Sequence, residues 1–156
     1  MNRLRGKVAL VLGAGSVGTG WGNGKACAVL FAREGASVFA VDKRKSAADE
    51  TKRLIKEEGG ACVSFEADAI KARSVSDMIN ACVQEYGAIH VLQNNVGGSA
   101  PGGVVEMSEE VWEANIDHNL KSAFLSCKYA VPVMLKSGSG SIVNVSSISG
   151  MRYHRG

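Results

Sequence analysis

The sequence lacks the features that mark several large classes of protein. The four cysteines form no CxxC pair and have no histidine at metal-ligand spacing, so we expect reduced thiols and no bound metal. They are Cys27, Cys62, Cys82 and Cys127. The only basic cluster is Lys43-Arg44-Lys45 and the net charge is +3, which argues against nucleic acid as a partner. No apolar stretch is long enough to cross a membrane, so no membrane partner is expected.

The start of the sequence also lacks the pattern of a signal peptide. The basic start Met1–Arg5 precedes the apolar run Val8–Leu12, which is too short for the core of a signal peptide and ends in glycines. We therefore interpret this run as a buried strand. Together with the reduced cysteines, it predicts a cytoplasmic protein.

Strand-like and helical segments alternate along the chain. Strand-like runs cover residues 8–12, 37–42, 62–66, 90–94 and 141–147, and helical patterns cover residues 25–34, 46–58, 74–86 and 108–136. The strands are continuous apolar runs, as burial on both faces requires. The pattern predicts an α/β fold, a doubly wound parallel sheet with helices on both faces, in a single domain over residues 1–156.

Local signals set the expected helix limits. Ser74 and Asp77 have the spacing of a capping box at the start of the third helix. Ser108 is the expected N-cap of the fourth, which we expect to break near Asn119 into two helices. Pro132 lies within the pattern of that fourth helix and predicts a kink or an end there.

Six glycines lie between the first strand and the first helix, and an acid, Asp42, ends the next strand. The glycines are Gly13, Gly15, Gly18, Gly20, Gly22 and Gly24. Strand, glycine-rich turn, helix, strand and acid is the order that builds a dinucleotide cradle of the Rossmann type. The amides at the helix N-terminus would face the pyrophosphate, and the carboxylate would accept hydrogen bonds from a ribose.

The glycine segment can be interpreted in two ways. Residues 13–18 match GxGxxG, but a helix beginning at Gly18 would hold Gly20, Gly22 and Gly24 in its first turns. Each helical glycine costs about 1 kcal/mol relative to alanine, so a longer loop with the helix starting at Gly24 is favoured. Asp42 then follows 18 residues after Gly24, close to the usual separation.

Asp42 favours NAD over NADP as the cofactor, since a carboxylate at this position would repel a 2′-phosphate. Lys43 and Arg44 follow it directly, and a nearby cation could hold that phosphate instead. NAD is therefore the predicted cofactor and NADP the less favoured alternative.

The second half of the chain, taken with the glycine segment, resembles the short-chain dehydrogenase/reductase family. The resemblance rests on Asn94-Asn95-Val96-Gly97 after the fourth strand, on Asn119, and on residues 141–150 around the fifth strand. It implies an oxidoreductase that transfers hydride between a nicotinamide and a small-molecule carbonyl or alcohol. It also implies a homo-oligomer for the complete protein.

The resemblance assigns roles to particular residues of this chain. The cofactor-binding residues it implies are Gly13, Gly15, Ser16, Gly22, Asn23, Gly24, Asp42, Asp68, Ala69, Asn95, Val96 and Gly97. Within this set, Asp68 and Ala69 would lie at the adenine. Asn119 matches the asparagine that anchors a proton-relay water, and Ser147 matches the serine that hydrogen-bonds the reacting oxygen.

The sequence departs from the family pattern in three places, apart from one minor change at Val96. Leu12 stands where a threonine usually ties the loop, Asn23 replaces an isoleucine, and the loop is five residues longer than usual. Val96 replaces an alanine, which is a minor change in bulk. The departures concern the contacts to the pyrophosphate rather than the class of protein.

The family's reaction also needs a tyrosine and, four residues later, a lysine, roughly a dozen residues beyond Ser147. The last tyrosine, Tyr153, comes too early, and the corresponding lysine position lies beyond Gly156. We therefore expect an amino-terminal part of a longer enzyme, cut after the fifth strand and inactive alone. Two alternatives stay open: a non-catalytic NAD-binding module, and a half-enzyme completed by a separate carboxy-terminal chain.

Overall fold

Five parallel strands form one sheet, in the order β3-β2-β1-β4-β5. The structure is a computed structural model that describes residues 2–151, apart from the side chain of Ser149. The strands are β1 (Val8–Leu12), β2 (Ser37–Asp42), β3 (Ala61–Glu66), β4 (Val91–Asn94) and β5 (Ser141–Asn144). The predicted α/β fold with a parallel sheet is confirmed. Tyr153 and His154 lie outside the described residues.

The register of the sheet aligns the carboxyl ends of its strands. Leu12 is paired with Val41 on one side and with Asn94 on the other, and Asn94 is paired with Asn144. The chain leaves β1 towards β2 on one side, whereas β4 lies on the other. In open parallel sheets this reversal creates the crevice in which ligands bind.

Helices cover both faces of this sheet. They are α1 (Asn23–Arg33), α2 (Lys45–Glu57), α3 (Ala72–Tyr86), α4 (Glu109–Ile116) and α5 (Ser122–Lys136), with a π-helical turn at Asp117–Lys121 between the last two. Ser108 caps α4, as predicted, because its hydroxyl accepts the Val111 N–H.

Alternate residues of β1 belong to two separate cores. Leu10 and Leu12 are buried in a cluster that includes residues of α3 and α5, whereas Ala9 and Val11 belong to a cluster with α1 and α2. This explains why the strands appear as continuous apolar runs rather than as alternating ones.

The predicted start of the third helix is wrong. Helix α3 begins at Ala72 with Lys71 as its N-cap, and the hydroxyl of Ser74 instead accepts the Asp68 N–H at 2.9 Å. The long fourth pattern divides near Asn119 into α4 and α5, as predicted, and the interruption is a π-helical turn rather than a loop. Pro132 lies inside α5 and does not end it.

Three strand limits shift by a few residues. Strand β3 begins one residue earlier than expected, at Ala61, and β4 begins one residue later, at Val91. His90 is excluded from β4, and its Nδ1 accepts the Val8 N–H at 3.0 Å. Strand β5 ends at Asn144 rather than at Ser147, where its pairing with β4 also stops.

Candidate functional site

The glycine loop, residues 13–22, lies at the centre of the crevice and is shaped by close backbone contacts. Gly13 has φ of +70°, and a Cβ there would lie 2.9 Å from the carbonyl oxygen of Asn95. A Cβ on Gly24, in the first turn of α1, would collide with the carbonyl oxygen of Gly13. Both positions therefore need glycine, because backbone atoms occupy the space of a side chain.

Helix α1 points an uncapped N-terminus at this loop. Gly22 is its N-cap and has no side chain to accept the first-turn amides, and the first turn contains no acidic residue. The first helical residue is Asn23, so the longer of the two loops considered from the sequence is the correct one. The free amides and the positive end of the helix dipole together favour an anion at this position.

Side chains of the loop and of α1 hold the lengthened part in place. The Ser16 hydroxyl accepts the Gly22 N–H at 2.6 Å and donates to the Gly20 carbonyl at 3.0 Å. The ammonium of Lys25 also donates to the Gly20 carbonyl, at 3.0 Å, and Lys25 is only 7% exposed. On the buried side of the loop, Thr51 of α2 donates to the Ala14 carbonyl at 2.7 Å.

Asp42, at the end of β2, lies directly against the glycine loop. Its Oδ2 accepts the Gly15 N–H at 3.0 Å, and its Oδ1 accepts the Arg44 N–H at 3.0 Å. A carboxylate has about four acceptor sites, so each oxygen keeps one for a further donor. Two neighbouring hydroxyl groups, such as those of a ribose, match this arrangement.

The two cations that follow Asp42 already have protein partners. The Lys43 ammonium lies 3.4 Å from a carboxylate oxygen of Asp68. The guanidinium of Arg44 donates to the carbonyls of Ser16 and Val17, the second at 3.4 Å. Neither cation stands unpaired beside Asp42.

A cleft next to Asp42 extends across the ends of β1, β2 and β3. Its walls are mostly apolar and are formed by Leu12, Gly13, Val41, Asp42, Lys43, Ala67, Asp68, Ala69, Ile70, Met78, Val96 and His118. Burial raises the pKa of the Asp68 carboxyl, but the Ile70 N–H and Lys43 outweigh it, so that the pKa lies below its usual value. Asp68 is therefore charged at neutral pH, and the cleft combines mostly apolar walls with two carboxylates.

Asn94 and Asn95 have different surroundings at the end of β4. Asn94 is buried, and its side chain joins Asn144 at 2.7 Å and the Ser126 hydroxyl at 2.8 Å, which ties β4 to β5 and α5. Among the described residues, Oδ1 of Asn95 is buried without a hydrogen-bond partner. Its Nδ2 is near Gly24, since a Cβ there would lie 3.1 Å away. An unpaired buried acceptor is costly, so this side of the crevice fits a bound group that brings a donor.

Asn119 lies in the π-helical turn and holds the segment that follows β4. Its Nδ2 donates to the Gly98 carbonyl at 2.8 Å and its Oδ1 accepts the Gly98 N–H at 3.2 Å. A Cβ on Gly97 would lie 2.9 Å from the same oxygen. The amide of Asn119 therefore positions the loop beside Val96 and Gly97 at the crevice.

Ser147 is exposed and follows the end of β5 by three residues, at the same edge of the sheet as the other candidates. Its carbonyl accepts the Gly150 N–H at 3.1 Å, at the start of a short 3₁₀ turn over Ile148–Gly150. The sheet register thus brings the ends of all five strands, and the candidate residues that follow them, to one edge.

Sequence reasoning missed two contributors to this site, His118 and Lys25, and suggested a different role for Arg44. His118 lines the cleft, with its Nδ1 2.7 Å from the Ala114 carbonyl. Arg44 and Lys25 bind loop carbonyls, which no sequence motif indicates. His118 was missed because the π-helical turn that contains it could not be recognised in the sequence. Such a turn changes which side chains of a helix face the sheet edge.

Within residues 2–151, no group of three or more metal-ligating side chains is present. The described helices include none with the length and apolarity to span a bilayer. The described cysteines are all unpaired, and burial raises the pKa of Cys62 to about 11.

The fold and the crevice agree with comparison to known proteins. Residues 7–156 match the family model described as short chain dehydrogenase, and the chain belongs to that family. It is 42% identical over 152 residues to the 3-oxoacyl-acyl-carrier-protein reductase FabG of Thermotoga maritima, covering 96% of this chain and 58% of that protein.

Two solved structures resemble the chain closely. A putative short-chain dehydrogenase/reductase from Burkholderia xenovorans has a TM-score of 0.95 and 46% identity, over 98% of this chain and 61% of that one. A 7α-hydroxysteroid dehydrogenase, complexed with NADH and 7-oxo glycochenodeoxycholic acid, has a TM-score of 0.91 and 29% identity, over 97% and 57%. The chain thus spans somewhat more than half the length of the relatives it matches.

Proposed function

We propose that this chain binds NAD(H) in the crevice beside β1, as part of an oxidoreductase that interconverts a carbonyl and an alcohol. The carboxylate of Asp42 against the glycine loop is the observation that carries the proposal. When bound, the nicotinamide coenzyme supplies the hydride chemistry, and the protein supplies position and charge. The NADH complex of the hydroxysteroid dehydrogenase relative supports this choice.

Each part of the crevice suits one part of the dinucleotide. The uncapped N-terminus of α1, with Gly13, Gly15, Ser16 and the Gly22-Asn23-Gly24 entry, would hold the diphosphate. Asp42 would accept the ribose hydroxyls. Asp68 and Ala69 would border the adenine in the apolar cleft, with Asn95, Val96 and Gly97 lying along the other side of the cofactor. The unpaired Oδ1 of Asn95 would gain a donor there.

NAD is proposed over NADP because of charge. A 2′-phosphate about 4 Å from Asp42 would cost about 4 kcal/mol per unit charge at an effective dielectric constant of about 20. The two cations that could offset this repulsion by contacting the phosphate already have protein partners. Lys43 is paired with Asp68, and Arg44 donates to the carbonyls of the loop.

In the reaction, Ser147 would hydrogen-bond the substrate oxygen and Asn119 would fix the segment that borders the substrate. A serine hydroxyl without an assisting base is a poor proton donor or acceptor at neutral pH. Proton transfer is therefore assigned to the family's tyrosine and lysine rather than to Ser147. A small-molecule carbonyl or alcohol is the proposed substrate class, and a cytoplasmic homo-oligomer the proposed state.

The test is a calorimetric titration of the protein, as its gene encodes it, with NADH and with NADPH. We expect NADH to bind at least about tenfold more tightly, as the charge argument requires. Asp42→Asn should remove most of this preference, whereas Asp77→Asn, an exposed acid on α3, should leave it unchanged. Equal or tighter binding of NADPH by the wild type would contradict the NAD assignment, and binding of neither would contradict the proposal as a whole.

A further inference from the structure

We propose that Arg44 is a positioning residue for the cofactor: it holds the lengthened glycine loop against α2 in the shape that binds the dinucleotide. The inference rests on the proposed function, because it concerns the affinity for the same coenzyme. It differs from the role suggested by the sequence, in which a cation after Asp42 would hold a 2′-phosphate.

Arg44 connects three parts of the site. Its backbone N–H donates to Oδ1 of Asp42, the carboxylate whose other oxygen binds Gly15. Its guanidinium donates to the carbonyls of Ser16 and Val17. One residue thus fixes both the acid proposed for the ribose and the segment that leads from Gly15 towards α1.

The exposed side of the loop has little else to hold it. Val17 is 97% exposed, and a Cβ built on Gly18 or Gly20 would meet no heavy atom within 4 Å. A glycine-rich segment without packing contacts loses much conformational entropy when it is ordered. Hydrogen bonds from a planar guanidinium to two successive carbonyls reduce that cost before the ligand arrives, which is the basis of preorganised binding.

Two further contacts make Arg44 a member of a small network. Lys25 and Ser16 both bind the Gly20 carbonyl, and Ser16 also accepts the N–H of Gly22, the N-cap of α1. Without Arg44, the carbonyls of Ser16 and Val17 lose the guanidinium that donates to them, and Ser16 can move away from Gly22. The disturbance therefore reaches the helix end proposed for the diphosphate, which both NAD and NADP possess.

The experiment uses Trp21 of the loop, 61% exposed, as a fluorescent reporter. The only other tryptophan is Trp112, which Trp112→Phe removes. All variants are made in the protein as its gene encodes it, with Trp112→Phe added. In this protein, Arg44→Ala and Arg44→Lys are compared with Arg73→Ala, a control because the Arg73 side chain is 97% exposed on α3. Trp21 anisotropy is measured without cofactor, and dissociation constants are measured for NADH and NADPH, with circular dichroism to verify folding.

We expect Arg44→Ala to weaken NADH binding about tenfold, to weaken NADPH binding by a similar factor, and to lower the Trp21 anisotropy of the free protein. Arg44→Lys should lie between wild type and Arg44→Ala, because an ammonium lacks the planar fork that reaches both carbonyls. Arg73→Ala should match the wild type in every measurement.

Three results would overturn the inference. A loss confined to NADPH, with Trp21 unchanged, would make Arg44 a phosphate ligand. Unchanged NADH binding in a folded Arg44→Ala variant would remove its positioning role while leaving the proposed function intact. Failure of the wild type itself to bind either coenzyme would overturn both proposals.

Discussion

Gly24 is the residue at which the steric limits of the site are tightest. In an ordinary helix, replacing glycine with alanine stabilises by about 1 kcal/mol. Here the added methyl group would meet the carbonyl oxygen of Gly13 and would approach the side chain of Asn95. Both neighbours belong to the crevice, so the loop and the helix would have to separate.

We predict that Gly24→Ala lowers the free energy of unfolding by about 1–3 kcal/mol, the usual cost of overpacking, and weakens NADH binding. Thermal unfolding and calorimetry measure the two effects. Gly18→Ala is the matched control in the same loop, because its Cβ would meet nothing within 4 Å. If the two variants were equally stable and bound NADH equally well, the close contact would have no energetic importance.

At the scale of elements, the π-helical turn is the feature that the sequence did not reveal. The pattern of residues 108–136 predicted a helix that breaks near Asn119, with a kink or an end at Pro132, but it did not show what kind of interruption lies near Asn119. A π-helical turn changes the direction in which the side chains of a helix point, and no glycine or proline marks it here. Periodicity alone therefore could not identify the interruption as π-helical. Its effect is to bring Asn119 to Gly98 and His118 to the cleft.

This turn leads to a prediction about the segment after β4. Asn119→Ala removes the amide that binds both backbone groups of Gly98, at about 0.5–1.5 kcal/mol per hydrogen bond. We expect faster amide hydrogen exchange in residues 96–104 and weaker NADH binding. Asn115→Ala is the control, since its side-chain amide donates to Val111 within its own helix. Equal exchange in the two variants would show that Asn119 does not hold this segment.

The helix starts show a second limit of sequence reasoning. Ser108 caps α4 as expected, whereas the similar signal at Ser74 failed because its hydroxyl binds Asp68 across the turn. Both serines satisfy a backbone N–H, but a local pattern does not show which one. Strand positions were more predictable, since burial on both faces leaves a continuous apolar run.

At the scale of the molecule, the sheet order explains why residues far apart in sequence share one site. Strand β1 lies between β2 and β4, so the glycine loop meets Asp42 on one side and Asn95 on the other. The motif order predicted this arrangement. The contacts of Arg44 and Lys25 could not be predicted, because they depend on the path of the extra loop residues, for which the family pattern offers no template.

Within the described part of the chain, β5 is an outer strand of the sheet, and all four of its residues are exposed. Among them, Ile142 and Val143 are 37% and 44% exposed, and Phe124 and Leu135 on α5 are 59% and 75% exposed. Apolar strand edges and patches of this kind tend to be covered by other protein segments. This agrees with a protein in which further structure or a second subunit packs beside β5 and α5.

The final prediction concerns turnover by the 156 residues alone. They contain no tyrosine followed four positions later by a lysine, and the hydroxyl of Ser147 cannot replace that pair as an acid or base. We expect a purified 156-residue chain to bind NADH without oxidising it in the presence of small carbonyl compounds, measured by absorbance of the reduced nicotinamide. Oxidation that scales with protein and disappears in Ser147→Ala would contradict this expectation. It would mean that a side chain among these residues moves the proton, with Ser147 as the first to examine.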